Sequence, residues 1–178
     1  MNYSSELKKS MQYLASNKKT IFIGQAVDYP GTVMTQSLKD INSKKKLELP
    51  VAEEMQMGIS IGLSMSGIIP ITIYPRLNFL LLAMNQLINH LDKLKIMTEG
   101  KYSNKVIIRS SIGSERPLHP QYQHIGDYTE SLKNMSTNIE IIKLIQSKDI
   151  FKSYKKALNR RDGKSTLLIE YGDFHNEK

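Results

Sequence analysis

Pro50-Val51-Ala52-Glu53-Glu54-Met55-Gln56-Met57-Gly58 is the stretch from which the rest of the chain is read. A proline closes a short segment, a pair of carboxylates follows, and an uncharged run extends from Met55 to Tyr74. Acidic residues in a first turn suit a helix N-terminus, where the macrodipole favours negative charge. A carboxylate placed there is also rigidly held, as proton chemistry requires. By position alone, Glu53 and Glu54 do no more than open a helix.

The run beyond them has two readings. Met55, Met57, Ile59, Ile61, Leu63 and Met65 alternate with Gln, Gly and Ser, which is the pattern of a strand. The alternation is too long for a typical strand, however. Gly58 and Gly62 recur four apart, as do Ser60 and Ser64, and on a helix such residues form narrow faces that admit another backbone. The expectation is a helix wedged between layers or against another subunit. Pro70 then divides the run, and its serines and glycines dilute the hydrophobicity, so a buried helix followed by a strand replaces a membrane span.

On either side the elements alternate. Helices are expected over 5–15, 32–40, 77–97, 126–133 and 147–158. Strands are expected over 20–24, 47–49, 69–74, 106–110, 139–144 and 165–171. Residues 112–124 read as a functional loop. This alternation predicts an α/β three-layer sandwich with a mainly parallel sheet, one domain over 1–172, and a polar C-terminal tail over 173–178.

The 178 residues suffice for a real core. With no cysteine, a disulfide framework and a Cys-based metal site are both excluded. The opening residues lack a signal-peptide layout, and a cytoplasmic location is expected. The net charge of +8 is spread over scattered lysines, with Lys44-Lys45-Lys46 the longest run. Aromatics do not interleave with them as an RNA-binding surface requires. A solvated basic face, or a surface that meets an acidic partner, is expected, with no nucleic acid.

From Pro50 to Gly100 the chain resembles the pyrimidine-binding domain of thiamine-diphosphate enzymes. It is most similar to the beta subunit of 2-oxoacid dehydrogenase E1 components and, more distantly, to transketolase. The residues that carry the likeness are Pro50-Val51-Ala52-Glu53, Gly58, Ser66-Gly67-Ile68-Ile69-Pro70, Leu77-Asn78-Phe79, Gln86-Leu87-Ile88-Asn89 and Met97-Thr98-Glu99-Gly100. Each element is weak alone, and the ordered spacing is specific.

The resemblance implies an enzyme subunit that decarboxylates a 2-oxoacid or transfers a ketol unit, with thiamine diphosphate as cofactor. In that family a glutamate bonds N1′ of the aminopyrimidine and promotes loss of the thiazolium C2 proton. The motif gives this role to Glu53, and leaves Glu54 with helix-start electrostatics. It implies that Phe79 stacks on the pyrimidine, with Leu77 altering the pocket wall. A Gln-His loop follows in the family, and its histidine faces the substrate. Gln123-His124 fits with upstream insertions, a register without them puts Tyr122 there, and His119 is a further candidate. Arg109 or Arg116 is implied as the binder of a substrate carboxylate.

Two departures stand out. The first strand ends Gly24-Gln25-Ala26-Val27 where the family has Gly-Glu-[DE]-Val, so Gln25 lies beside the cofactor without a charge. No Gly-Asp-Gly motif for magnesium and diphosphate is present. The chain is therefore expected to be half of a split enzyme. A pyrophosphate-domain, alpha-type partner would hold the magnesium, in an alpha2beta2-like heterotetramer. A non-catalytic scaffold or regulatory relative is the other expectation.

Overall fold

The computed structural model describes residues 2–30, 32–116 and 119–176. Six strands are present: β1 (Thr20–Gly24), β2 (Lys46–Glu48), β3 (Ile69–Tyr74), β4 (Ile107–Ile112), β5 (Ile139–Lys143) and β6 (Ser165–Tyr171). They form one sheet in the order β2-β1-β3-β4-β6-β5. Every pairing is parallel. Parallel neighbours need long crossovers. These carry the helices α2 (Val33–Gln36), α3 (Glu53–Met65), α4 (Leu77–Leu80), α5 (Leu94–Met97), α6 (Thr129–Met135) and α7 (Ser147–Asn159), while α1 (Tyr3–Ser16) precedes β1.

Side chains of a strand alternate between its faces, and this alternation builds two cores. Ile71, Ile73, Ile107 and Leu168 face α1 and α7, where they pack with Leu7, Met11, Ile150 and Tyr154. Tyr74, Ile108, Leu167 and Ile169 face the other way, onto Met57, Ile61, Leu80, Leu87 and Leu132. The three-layer sandwich expected from the sequence is the one observed, and its sheet is wholly parallel.

Helix α3 resolves the ambiguous run. Its buried residues are Glu53, Gln56, Met57, Ser60 and Ile61, which is helical spacing. Met55 and Met65, part of the apparent alternation, are exposed. The small-residue face is not continuous. Ser60 is buried and bonds back to the Gln56 carbonyl, whereas Gly62 is exposed and a side chain added there would touch nothing.

Three expectations are corrected. The helix expected over 77–97 stays right-handed at its junctions, Leu81, Met84, Asp92 and Lys93, but changes hydrogen-bond register along its length: α4, a 3-10 turn at Leu81–Ala83, a π-helix at Asn85–Leu91, and α5. Wider turns of this kind interrupt helices without a proline, so no breaker marks them. The helix expected over 32–40 shrinks to α2. The expected polar tail is a packed 3-10 turn over Gly172–Asn176. Phe174 meets Tyr3 edge-on at 5.5 Å and His175 is buried. Residues 177–178 lie outside the described residues. No helix among the described residues is long and apolar enough to cross a membrane.

Candidate active site

In open parallel sheets, ligands bind beyond the carboxyl ends of the strands. Here Gln25 follows β1, Arg76 follows β3, Gly113 follows β4 and Gly172 follows β6. These four strands are consecutive in the sheet. Together their loops enclose a cavity of about 340 Å³, walled also by Phe79 and His175.

Glu53 opens α3 just beyond the end of β2 and is 6 % exposed. Its first turn is pinned to β3. The Tyr74 hydroxyl donates to the Glu53 carbonyl at 3.1 Å, and the Gln56 amide donates to Thr72 Oγ1 and to the Ile73 carbonyl at 2.9 and 3.0 Å. Gln25 Nε2 donates to Glu53 Oε1 at 3.2 Å. Among the described residues no hydrogen bond is taken by Oε2, so one carboxyl oxygen remains for another donor. Glu54, expected to serve only the helix start, accepts from Asn85 Nδ2 at 3.0 Å on the π-helix.

The turn that presents Gln25 is itself held. The Glu48 carboxylate at the end of β2 receives the backbone N–H groups of Ala26, Val27 and Asp28 at 2.5, 2.9 and 2.8 Å. Ala26 has φ +52°, a conformation that costs a non-glycine residue energy, and the Glu48 bonds offset it. Gly24, with φ +151°, must be glycine, since a Cβ there would stand 2.4 Å from the Ile73 carbonyl oxygen. At Gly172 a Cβ would meet the Ser114 amide nitrogen at 2.5 Å, so the β4 and β6 loops approach closely there.

Phe79 and His124 come together, their ring centroids 5.4 Å apart and edge-to-face. His124 Nδ1 is buried with no hydrogen-bond partner among the described residues. Tyr122, the alternative in this loop, is 86 % exposed, and the structure does not place it in the cavity wall. His119 is likewise outside the wall, half-exposed and 3.2 Å from Glu115 Oε2. The short 3-10 turn Tyr122–His124 leaves Tyr122 solvated and half-buries His124 against Phe79. His124 and Glu53 do not line the cavity themselves but meet it through Phe79 and Gln25.

Arg109 is not a substrate binder here. It is fully buried on the α1/α7 face, in register with Leu168, and its guanidinium forks onto Glu170, with Nη2 to Oε2 at 3.0 Å. Nη1 donates to Ser37 Oγ at 2.8 Å. The Tyr154 hydroxyl donates to the same carboxylate. Burial would push the Glu170 carboxyl up, but the Arg109 charge and His175 hold it down to about 2. His175 Nε2 lies 2.9 Å from Glu170 Oε2, without the alignment of a straight hydrogen bond. His175 therefore links this buried network to the cavity. Arg116 meets Asp173 through its backbone N–H, at 3.0 Å.

Sequence reasoning missed Arg76, Glu48 and His175. For Arg76 the signal was available: it follows directly on a strand expected to end at Tyr74, where a parallel sheet carries its ligands. Its Nη1 donates to the carbonyls of Gly113, His124 and Ser114 at 2.8, 3.1 and 3.4 Å, tying both ends of the β4–α6 connection to the loop after β3.

No protein-family model matches the chain. Among curated proteins, it is 29 % identical over 135 residues to the pyruvate dehydrogenase E1 component subunit beta of Gracilaria tenuistipitata var. liui, covering 72 % of this chain and 42 % of that protein. Against the subunit beta of Chaetosphaeridium globosum it is 32 % identical over 90 residues, 50 % of this chain and 28 % of that one. The chain thus spans less than half the length of these relatives. Among solved structures, a split-gene transketolase described as an inactive beta4 tetramer superposes with a TM-score of 0.73 at 16 % identity, covering 94 % of this chain and 50 % of that one. Transketolase from Campylobacter jejuni gives 0.72 at 12 % identity, covering 94 % and 25 %. Sequence relatives and fold together support a likeness to the pyrimidine-type domain of the thiamine-diphosphate enzymes.

Proposed function

We propose that the chain is the pyrimidine-domain, beta-type subunit of a split thiamine-diphosphate enzyme that acts on a 2-oxoacid or a ketose. The observation that carries this is the Glu53 carboxylate: buried, held on one oxygen by Gln25 and open on the other. It fits the requirement for a fixed carboxyl group opposite a ring nitrogen. Phe79 supplies the aromatic wall and Gln25 the neighbouring amide. When bound, the cofactor supplies a nucleophilic carbon that adds to a carbonyl.

In this reading Glu53 holds the proton at the ring nitrogen and Phe79 orients the ring. His124, whose ring meets Phe79 edge-to-face, is assigned proton exchange at the substrate side. Among the described residues no group of three or more His, Asp or Glu could hold a metal ion. We therefore assign the magnesium and diphosphate to an alpha-type partner chain, and we place the assembly, an alpha2beta2-like heteromer, in the cytoplasm.

The test is Glu53→Gln in the complex reconstituted with the alpha-type chain. Proton exchange at C2 of bound thiamine diphosphate should slow by about a hundred- to ten-thousand-fold, the usual scale of general acid–base contributions. Glu54→Gln should change it little. Exchange at the wild-type rate in Glu53→Gln would leave the scaffold reading in its place, which the uncharged Gln25 also favours.

A further inference from the structure

The cavity has a charge that nothing in its wall balances. Among the described residues Arg76 is its only lysine or arginine, and no aspartate or glutamate lines it. The guanidinium spends Nη1 on carbonyl oxygens, which orient it without cancelling its charge. The Ser111 hydroxyl donates to the Pro75 carbonyl at 2.7 Å and so fixes the backbone just before it. Asp173, the carboxylate whose field reaches Arg76, has one oxygen committed to the backbone N–H groups of Glu115 and Arg116, at 2.9 and 3.0 Å. Partial burial makes the charge costly, outweighs the opposing field of Asp173, and pulls the guanidinium down from its ordinary value. Near it are Ser111 and Ser114, both hydrogen-bonding residues. The second group able to carry positive charge in the wall, His175, is backed by Glu170.

A planar guanidinium held by one nitrogen keeps a second edge free, and that edge matches the oxygens of a carboxylate or phosphate. A volume of about 340 Å³ suits a ligand of few heavy atoms. We propose that this cavity is an anion-binding site centred on Arg76 and that it takes a small carboxylate or phosphate group. Arg76, rather than the buried Arg109, is then the anion-recognising arginine of the chain. The site lies on the reacting side assigned under the proposed function and rests on that reading for its role, but anion binding itself needs neither cofactor nor partner.

The experiment is a calorimetric titration of the full chain, without cofactor, against oxamate, inorganic phosphate and the neutral amide oxamide. Saturable binding of oxamate or of phosphate, with oxamide silent, is expected. Oxamate alone identifies a carboxylate site, phosphate alone a phosphate site. Arg76→Gln should weaken binding at least tenfold and Arg76→Lys less. Because Arg76 also braces the β4–α6 connection, a second reading uses the unaltered protein: the Arg76 Nε–Hε resonance should shift along the same saturation curve. The Glu53→Gln chain should bind the anion as the parent does, so a failed cofactor role and a failed anion site give different results. Binding of neither anion, equal binding of oxamide, or an unmoved Arg76 resonance overturns the proposal.

Discussion

Gln25 Nε2 reaches Glu53 Oε1 across 28 residues of sequence and 3.2 Å of space. An amide here can donate to an ionised carboxylate without adding a second negative charge. Gln25→Glu should therefore set two carboxyl groups in contact, which disfavours the doubly ionised state and raises the affinity of the pair for a proton. Carboxyl-carbon NMR titration should show one group titrating above the ordinary carboxylate range. If both titrate normally, the contact is not made in solution.

The Arg109–Glu170 pair makes a stability prediction with a sign. Glu170 has its carboxyl held to about 2 against an ordinary 4.5. A depressed carboxyl contributes stability that is complete above its unfolded value and lost as pH falls through the folded one. Urea midpoints should thus fall steadily between about pH 4.5 and pH 2, and Glu170→Gln should flatten that slope. Arg109→Met leaves a buried charge unpaired and should cost about 3–5 kcal/mol, whereas the double change to apolar residues should recover much of it.

The loop residues separate cleanly. Tyr122→Phe removes a hydroxyl from a side chain that is almost wholly solvated, and turnover of the reconstituted enzyme should stay within about twofold, as for an ordinary surface change. His124→Ala removes the ring that faces Phe79. It should lower kcat by about a hundredfold or more and change cofactor affinity little. A fully active His124→Ala with a crippled Tyr122→Phe would reverse the assignment.

Two glycines should respond in opposite directions. Gly24→Ala forces a methyl to within 2.4 Å of the Ile73 carbonyl oxygen at a φ of +151°, and should cost at least about 2 kcal/mol by thermal or urea unfolding. At Gly62 an added Cβ meets nothing within 4 Å, so Gly62→Ala should stabilise the isolated chain by up to about 1 kcal/mol through helix propensity. If this exposed face docks onto another subunit, the same change should weaken the assembly, which light scattering of the mixed chains would report.

The alternation of apolar runs and amphipathic segments made the layered architecture legible, because strand and helix periods differ and turn formers separate them. The juxtapositions of Gln25 with Glu53 and of Phe79 with His124 were reached only through the ordered motifs, since no local pattern links residues so far apart in sequence. Arg109 shows what local reading loses. Its alternation with Ile107 already placed it on a buried face, but the compensating Glu170 sits 61 residues on, so a buried arginine resembled a binding one. His175 was hidden for a similar reason: a polar terminal stretch carries no sign that Tyr3 and Phe174 will pack around it. The changes of helix type within residues 77–97 had no proline or glycine to announce them.

The place of β6 in the sheet has a consequence for how the molecule is made. Of the six strands, β6 comes last in sequence yet is an interior one, bonded to β4 on one side and β5 on the other. Until residue 171 has emerged, two apolar strand edges stand open, with no local hairpin to cover either. Parallel pairings of this sequence separation form slowly, and open edges of this kind invite pairing with other chains. A nascent or C-terminally truncated chain is therefore the aggregation-prone form of the protein. The β4 loop that carries Gly113 and Ser114 reaches its final position only when Gly172 arrives beside it, so the cavity is incomplete until the segment after β6 has joined the sheet.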